Sequence, residues 1–272
     1  MEETLQHILE LLAVNFGIAL VCVILLWVIT LKTKDPTPID SFWAFGLLLM
    51  AAVSFYEAGE PNERRVVILA ISAIWGARLG TYILWRWRKY GPDPRYEAMM
   101  RKAQERRGWS YGYASLRLVF LTQAPMLWLT ALPVQLGQFP DTPAEVGTLG
   151  FVGAAIAVIG ILFESIGDWQ LVRFKAIPAN AGKIMDRGLW RYTRHPNYFG
   201  DACVWWGLYL IAAETLEGRF AIVGPIFLTW TLMVWSGAAL LERRMTRAKP
   251  AYADYAARTS AFIPWFPKAK PN

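Results

Sequence analysis

The sequence predicts an all-α protein: a polytopic membrane bundle of seven transmembrane helices, with the N-terminus outside and the C-terminus in the cytoplasm. Three observations predict it. Seven apolar stretches, at 13–31, 41–57, 66–86, 115–136, 146–165, 201–214 and 220–241, approach the ~20 residues that cross a hydrocarbon core. Hydrophobic residues make up 55% of the 272, above the roughly 45–50% of a soluble domain. The excess runs through the whole chain, so residues 1–272 read as one membrane-embedded domain. With seven spans, 24 of the 28 Lys and Arg fall on segments that share one side, and that side is then the cytoplasm. An even number of spans would scramble this partition.

Composition also sets aside other classes. A net charge of +7 would suggest nucleic acid in a soluble protein, but cytoplasmic loops of a membrane protein collect the same residues. Fourteen Trp and eleven Tyr suit a protein with two interfaces to anchor. Cys22 and Cys203 sit inside apolar runs, where no disulfide framework or metal-ligand spacing surrounds them. The acidic Met1-Glu2-Glu3 start and the lack of a small-residue cleavage site argue against a cleavable signal peptide. The expected location is a bacterial inner membrane or its equivalent, with membrane lipids as neighbours and no nucleic acid or obligate protein partner.

Taken in order, span one (13–31) is followed by Lys32 and Lys34. Asp40 and Ser41 stand where span two (41–57) begins, a helix-capping signature; the other reading is a protonatable acid facing the bundle interior. Span three (66–86) ends on Arg78, Tyr82 and Arg86, which share one helix face at i, i+4, i+8. Snorkelling to the headgroups explains Arg86 but not the deeper Arg78, which is expected to face an internal polar cavity. The segment from Arg86 to Arg117 carries nine basic residues and leads to span four (115–136). Gly147, Gly150, Gly153 and Gly160 of span five (146–165) suit close helix packing and lack the spacing of a dinucleotide fingerprint. Glu164 and Asp168 follow at i, i+4, ahead of Arg173 and Lys175. Two acids near a helix C-terminus oppose its dipole, so they need either an ion pair to the basic loops or a ligand whose hydroxyls or amides they accept. Span six (201–214) is short, and span seven (220–241) precedes a basic tail.

Residues 188–201 read Gly-Leu-Trp-Arg-Tyr-Thr-Arg-His-Pro-Asn-Tyr-Phe-Gly-Asp. Arg191, Arg194, His195 and Asn197 crowd a helix entrance, with Pro196 suited to the first turn. Arginine offers a bidentate fork to phosphate, and a helix N-terminus flanked by arginines is a natural anion site.

This segment resembles the Arg-His-Pro-Asn-Tyr-x-Gly region of the DUF1295 and steroid 5-alpha-reductase-like membrane proteins. Glu242-Arg243-Arg244, Tyr252, Asp254-Tyr255, Arg258 and Phe262-Ile263-Pro264-Trp265-Phe266 are similar to that group's C-terminal pattern, and so are Pro38–Trp43 and Trp75-Gly76-Ala77-Arg78-Leu79. The Arg-His-Pro motif alone is shared with isoprenylcysteine carboxyl methyltransferases and phospholipid methyltransferases, which bind S-adenosylmethionine there.

The resemblance implies an oxidoreductase: an NADPH-dependent reductase of an enone carbon–carbon double bond in a lipid, of the 4-en-3-oxo steroid type. It implies early helices around an apolar lipid or steroid substrate, and residues 146–272 mainly around the cofactor. Cofactor contacts would come from Arg78, Arg86, Glu164, Asp168, Arg173, Lys175, Lys183, Arg191, Arg194, His195, Asn197, Tyr198, Asp201, Arg244, Tyr255 and Arg258. The substrate-side acid falls on Asp40. The family's companion tyrosine falls on Trp75, with Tyr82 two turns along, so Asp40, Tyr82 and Trp75 are the expected catalytic positions. The rival is an S-adenosylmethionine-dependent membrane methyltransferase, which often carries paired glutamates where this chain has Glu242 followed by two arginines. A non-enzymatic lipid carrier would bind neither cofactor.

Overall fold

A computed structural model describes residues 2–235 and 237–269. Among the described residues the architecture is helical, and one isolated parallel bridge joins Thr193 to Ser260. The long elements are α1 (Glu2–Thr30), α2 (Pro38–Glu57) and α3 (Glu63–Tyr90). The amphipathic α4 (Pro94–Arg107) follows. Next comes a helical run made of α5 (Tyr111–Ser115), a π-helical turn (Leu116–Phe120), α6 (Leu121–Thr130) and α7 (Leu132–Leu136). The second half holds α8 (Thr148–Ala176), α9 (Pro196–Ala212), α10 (Leu216–Arg219), α11 (Val223–Trp230), α12 (Ala238–Ala248) and α13 (Tyr252–Arg258). A second π-helical turn, Thr231–Trp235, follows α11.

Five segments are long and apolar enough to cross a bilayer: Thr4–Thr30, Pro38–Glu57, Glu63–Tyr90, Thr148–Ala176 and Leu216–Ala248. They mark a multi-pass membrane protein. Ile29 and Ile159 are more than half exposed, as expected of side chains whose solvent is lipid. Span five is longer than its hydropathy suggests: α8 runs to Ala176, well past residue 165, so Glu164 and Asp168 lie inside the helix and not at its end. The helix over the predicted sixth span, α9, begins at Pro196 and is 17 residues long, and it is not among these five.

The predicted role of the small residues in span five is close packing, and the structure has it. α8 and α9 form the most extensive helix pair. A Cβ on Gly153 would sit 2.5 Å from the Gly207 carbonyl oxygen, and one on Gly160 would sit 2.5 Å from that of Gly200. Gly147 and Gly150 do a different job. Their amides donate to the Glu214 carboxylate at 3.0 and 2.8 Å, so an acid from the end of α9 caps the start of α8.

At that same end two arginines are almost wholly buried. Arg64 donates to the carbonyls of Gly137 and Pro140, and Arg65 to those of Gln138, Phe139 and Glu60 and to Asp141. Their charge is spent on otherwise orphaned carbonyls of the 137–141 turn.

The opposite end places the site. Gly91 takes φ 79°, a conformation that favours glycine, and ends α3. Asp93 then caps α4, accepting from the Arg95 amide at 2.8 Å, and Pro94 occupies the first turn. A chain of polar contacts locks this corner. The Thr37 amide and hydroxyl donate to Asp35, the Trp87 indole donates to the other Asp35 oxygen at 2.7 Å, and the Asp93 amide donates to the Thr37 hydroxyl at 2.9 Å. The starts of α2 and α4 and the end of α3 are therefore held together.

Candidate functional site

A cavity of about 510 Å³ opens inside this corner. Its walls come from α2, α3, α4, the 111–130 helical run, α8 and α9, and from Leu228, Thr231, Leu232, Trp235 and Leu240. A more open hollow of about 460 Å³ lies at the other end of the bundle, around Glu214, whose carboxylate is already engaged with α8.

One end of the cavity is polar and charged. Arg78 reaches between Glu164 and Asp168, at 2.7 Å to each. Arg78 is expected to face an internal polar cavity; it is paired with two buried acids that line the cavity but is not itself in the lining. An ion pair from the basic loops is not what these acids make: their partner comes from α3. A buried ion pair costs desolvation energy unless its geometry is good, and the guanidinium fork meets both acids from one side. From α9, Asn197, Asp201 and Trp205 line the same cavity at i, i+4, i+8. Oδ1 of Asp201 and the indole nitrogens of Trp75 and Trp205 are buried without partners among the described residues.

A second polar group lines the same cavity. The Tyr96 hydroxyl donates to Asp40 Oδ1 at 2.5 Å, and Arg95 donates to Oδ2 at 3.2 Å. Arg95 is also bound to Asp93, at 2.9 Å. The capping reading of Asp40 is corrected here. Thr37 holds the cap position and Asp40 lies in the first helical turn, its carboxylate turned to α4. Burial raises the Tyr96 phenol well above its ordinary value, and the neighbouring Asp40 carboxylate raises it further. Burial would also raise Asp93, but hydrogen bonds from Arg95 outweigh it and hold that carboxyl below its usual range. Around the polar groups the wall is apolar and aromatic, with Trp43, Leu47, Leu79, Met126 and Leu232 among its members. The Trp43 indole donates to Gln123.

Of the sequence-predicted residues, Asp40, Trp75, Tyr82, Arg86, Glu164, Asp168, Asn197, Tyr198 and Asp201 line this one cavity, and Arg78 braces its floor. Trp75 is packed edge-on against Trp205, centroids 5.4 Å apart. Arg173, Lys175, Lys183, Arg191 and Arg244 are exposed and outside the lining; Arg173 lies over the Trp169 ring. Arg194 and His195 are tied to Glu242, Arg194 through two nitrogens at 2.8 and 3.1 Å and His195 at 2.9 Å. The third Arg194 nitrogen donates to the carbonyls of Ala256 and Thr259, so this motif staples α9 to the tail. Tyr255 donates to the Trp190 carbonyl and Arg258 pairs with Asp186. Arg95 and Tyr96 also line the cavity, and the charge of the Arg86–Arg117 segment alone does not point to them. The local signal was present: Gly91, then Asp93-Pro94, is a helix stop followed by a helix start.

The fold and cavity define a multi-pass helical membrane protein with a mixed polar and apolar interior site. The family described as "Protein of unknown function (DUF1295)" matches residues 26–259, and the chain belongs to that family. It is similar to an uncharacterized protein, C594.04c, of Schizosaccharomyces pombe, 24% identical, with 88% of this chain and 75% of the relative covered. No solved structure matches.

Proposed function

We propose that the protein is an NADPH-dependent reductase of an enone carbon–carbon double bond in an apolar lipid, of the 4-en-3-oxo steroid type. One observation carries the reading. A single cavity is lined by an acid–phenol pair, Asp40 and Tyr96, and by the acids Glu164, Asp168 and Asp201, of which Arg78 pairs the first two. The volume lies within the range of small-molecule sites, about 300–1,000 Å³.

The residues fit the cofactor. Carboxyl oxygens and unpartnered indole N–H groups match the donors and acceptors of a carboxamide and ribose hydroxyls. Arg86 stands at the cavity, and Arg173, Lys175, Lys183, Arg191 and Arg244 supply exposed cations beyond it for phosphates. Bound NADPH supplies a hydride to the enone β-carbon. The chain's own residues exclude water with the apolar wall, orient the lipid, and keep a proton at the Asp40–Tyr96 pair for the carbonyl oxygen, where negative charge grows.

The reading includes seven spans. The helical run from Tyr111 to Leu136 and the 17-residue α9 complete the five longer segments. The basic segments then place the N-terminus outside and the cavity's polar end toward the cytoplasm of a bacterial inner membrane or its equivalent.

A second reading has one observation in its favour. Four carboxyls around a cavity also suit a sulfonium, so an S-adenosylmethionine-dependent methyltransferase is the rival. Calorimetric titration of the detergent-purified protein tests both. Binding of NADPH and not of S-adenosylmethionine is expected. The reverse selects the methyltransferase, and binding of neither leaves a lipid carrier.

A further inference from the structure

We infer that Arg107 and Arg117, gathered around the ring of Trp109, form a binding site for the phosphate headgroup of an anionic membrane phospholipid. The site is separate from the cavity, since Arg107, Trp109, Tyr113 and Arg117 are all outside its lining. It therefore stands independently of the reductase reading.

The local sequence builds the cluster. α4 ends on Gly108, which takes φ 65°, the left-handed conformation of a helix C-cap. Trp109 follows at once, and Ser110 opens α5 by accepting from the Tyr113 amide at 3.3 Å. Trp109 is thus fixed in a short link between two capped helix ends. The Tyr113 ring packs edge-on against it, centroids 4.9 Å apart. The Arg107 guanidinium lies 4.7 Å from the Trp109 ring centroid and that of Arg117 lies 5.9 Å from it. Arg117 also donates to the Tyr113 hydroxyl at 3.4 Å.

This arrangement lacks its counter-ion. Two guanidinium groups share one ring and both stay charged. The ring offsets part of that charge, but like charges held this close repel. The chain's other crowded arginines are answered from within: Arg65 by Asp141, Arg78 by Glu164 and Asp168, Arg95 by Asp93 and Asp40, and Arg194 by Glu242. Among the described residues Arg107 and Arg117 make no ion pair, although Glu105 is exposed two residues from Arg107. Asp35 is already taken by Thr37 and Trp87. A guanidinium held on a ring keeps N–H donors for an anion, and phosphate oxygens accept two of them at once.

The surroundings select a lipid phosphate over a free one. The Trp27 indole donates to the Gly112 carbonyl at 3.1 Å, so the link sits level with the last turn of α1. That turn carries Val28 and Ile29, 51% and 68% exposed on a helix long and apolar enough to cross a bilayer. Leu121, one turn beyond Arg117 on the same helix face, is exposed as well. The cluster stands where acyl chains end and headgroups begin, the level at which Trp and Tyr collect. Lys32 and Lys34, both exposed, carry the positive charge past the end of α1. A soluble anion would meet the cations alone, whereas an anionic phospholipid meets the cations with its phosphate and the apolar side chains with its acyl chains. Leu118, beside Arg117, lines the cavity, so a bound headgroup also steadies that wall.

The test uses the whole chain, delipidated in an uncharged detergent. Native mass spectrometry reads its binding of phosphatidylglycerol and of phosphatidylcholine with matched acyl chains. One phosphatidylglycerol should be retained in preference to phosphatidylcholine, and Arg107→Gln with Arg117→Gln should weaken its binding about 30-fold, the surface attraction of two basic side chains. Arg107→Gln alone and Arg117→Gln alone should each weaken it about 5-fold, which keeps the test decisive if the double variant does not fold. Arg101→Gln with Lys102→Gln removes the same charge from the exposed face of α4 and should leave the binding unchanged. Amide exchange over residues 105–117 should slow when phosphatidylglycerol is added and not when inorganic phosphate is added. The site is overturned if the wild type shows no preference, if the Arg107 and Arg117 variants keep it, or if the Arg101 and Lys102 pair loses as much. Equal protection by inorganic phosphate overturns the lipid as occupant. None of these outcomes bears on NADPH binding, which the calorimetric titration reads separately.

Discussion

Tyr96 donates to Asp40 at 2.5 Å across 56 residues of sequence, joining the first turn of an amphipathic helix to the first turn of a membrane-spanning one. The proposed chemistry runs through that contact. It is held from outside the cavity by the cap of α4 and by the Asp35–Thr37–Asp93 contacts.

Asp93→Ala removes the cap and the main partner of Arg95. The expected cost is about 1 kcal/mol, seen as faster amide exchange over 94–107 with little change in α8. The pH dependence follows from sign. Asp93 has a lowered folded value, so its contribution is present above the unfolded value of about 3.9 and is lost as pH falls through the folded value. Exchange over α4 should therefore be flat from neutral pH down to about pH 4 once intrinsic rates are corrected, and rise below it only in the wild type.

Arg78→Met strands Glu164 and Asp168 facing each other. Removing one partner from a buried pair costs about 3–5 kcal/mol, and the residual exposure of Arg78 puts the expected loss near the lower bound. The melting temperature in detergent should drop sharply. Adding Glu164→Gln and Asp168→Asn to the same chain should restore most of it, which a simple loss of packing would not allow.

Gly160→Leu forces α8 away from α9, since even a Cβ there meets the Gly200 carbonyl oxygen at 2.5 Å. Overpacking of this kind costs about 1–3 kcal/mol. A substitution to Leu at the lipid-facing Ile159, one residue away, should leave the melting temperature unchanged.

Asp40→Asn should slow reduction far more than it weakens NADPH binding, by about 10²–10⁴-fold for a lost acid. Equal effects on both, measured by single-turnover rates and calorimetry, would return Asp40 to a structural role.

Contacts along one helix were legible in the sequence, and contacts between helices were not. The i, i+4 spacing exposed the shared face of Glu164 and Asp168, and the depth of Arg78 in an apolar run exposed its need for an interior partner; the structure joins the two. No spacing rule links Arg78 to residues 86 and 90 positions away, and none links Asp40 to Tyr96. Asp40-Ser41 before an apolar run looked like a cap, yet Pro38 moved the helix start back so that Thr37 took that place. Arg194 looked like a phosphate ligand by composition, but the tail supplies Glu242 and two carbonyls that occupy its nitrogens. Composition identified the helices, and long-range pairing decided which polar residues meet.

The most direct measurement follows deuterium from NADPH labelled at the nicotinamide C4 into the product of a 4-en-3-one steroid. The account predicts one deuteron at the former β-carbon, from one face of the nicotinamide only. A protein that binds NADPH and returns the enone unlabelled and unreduced across a panel of such lipids would contradict it.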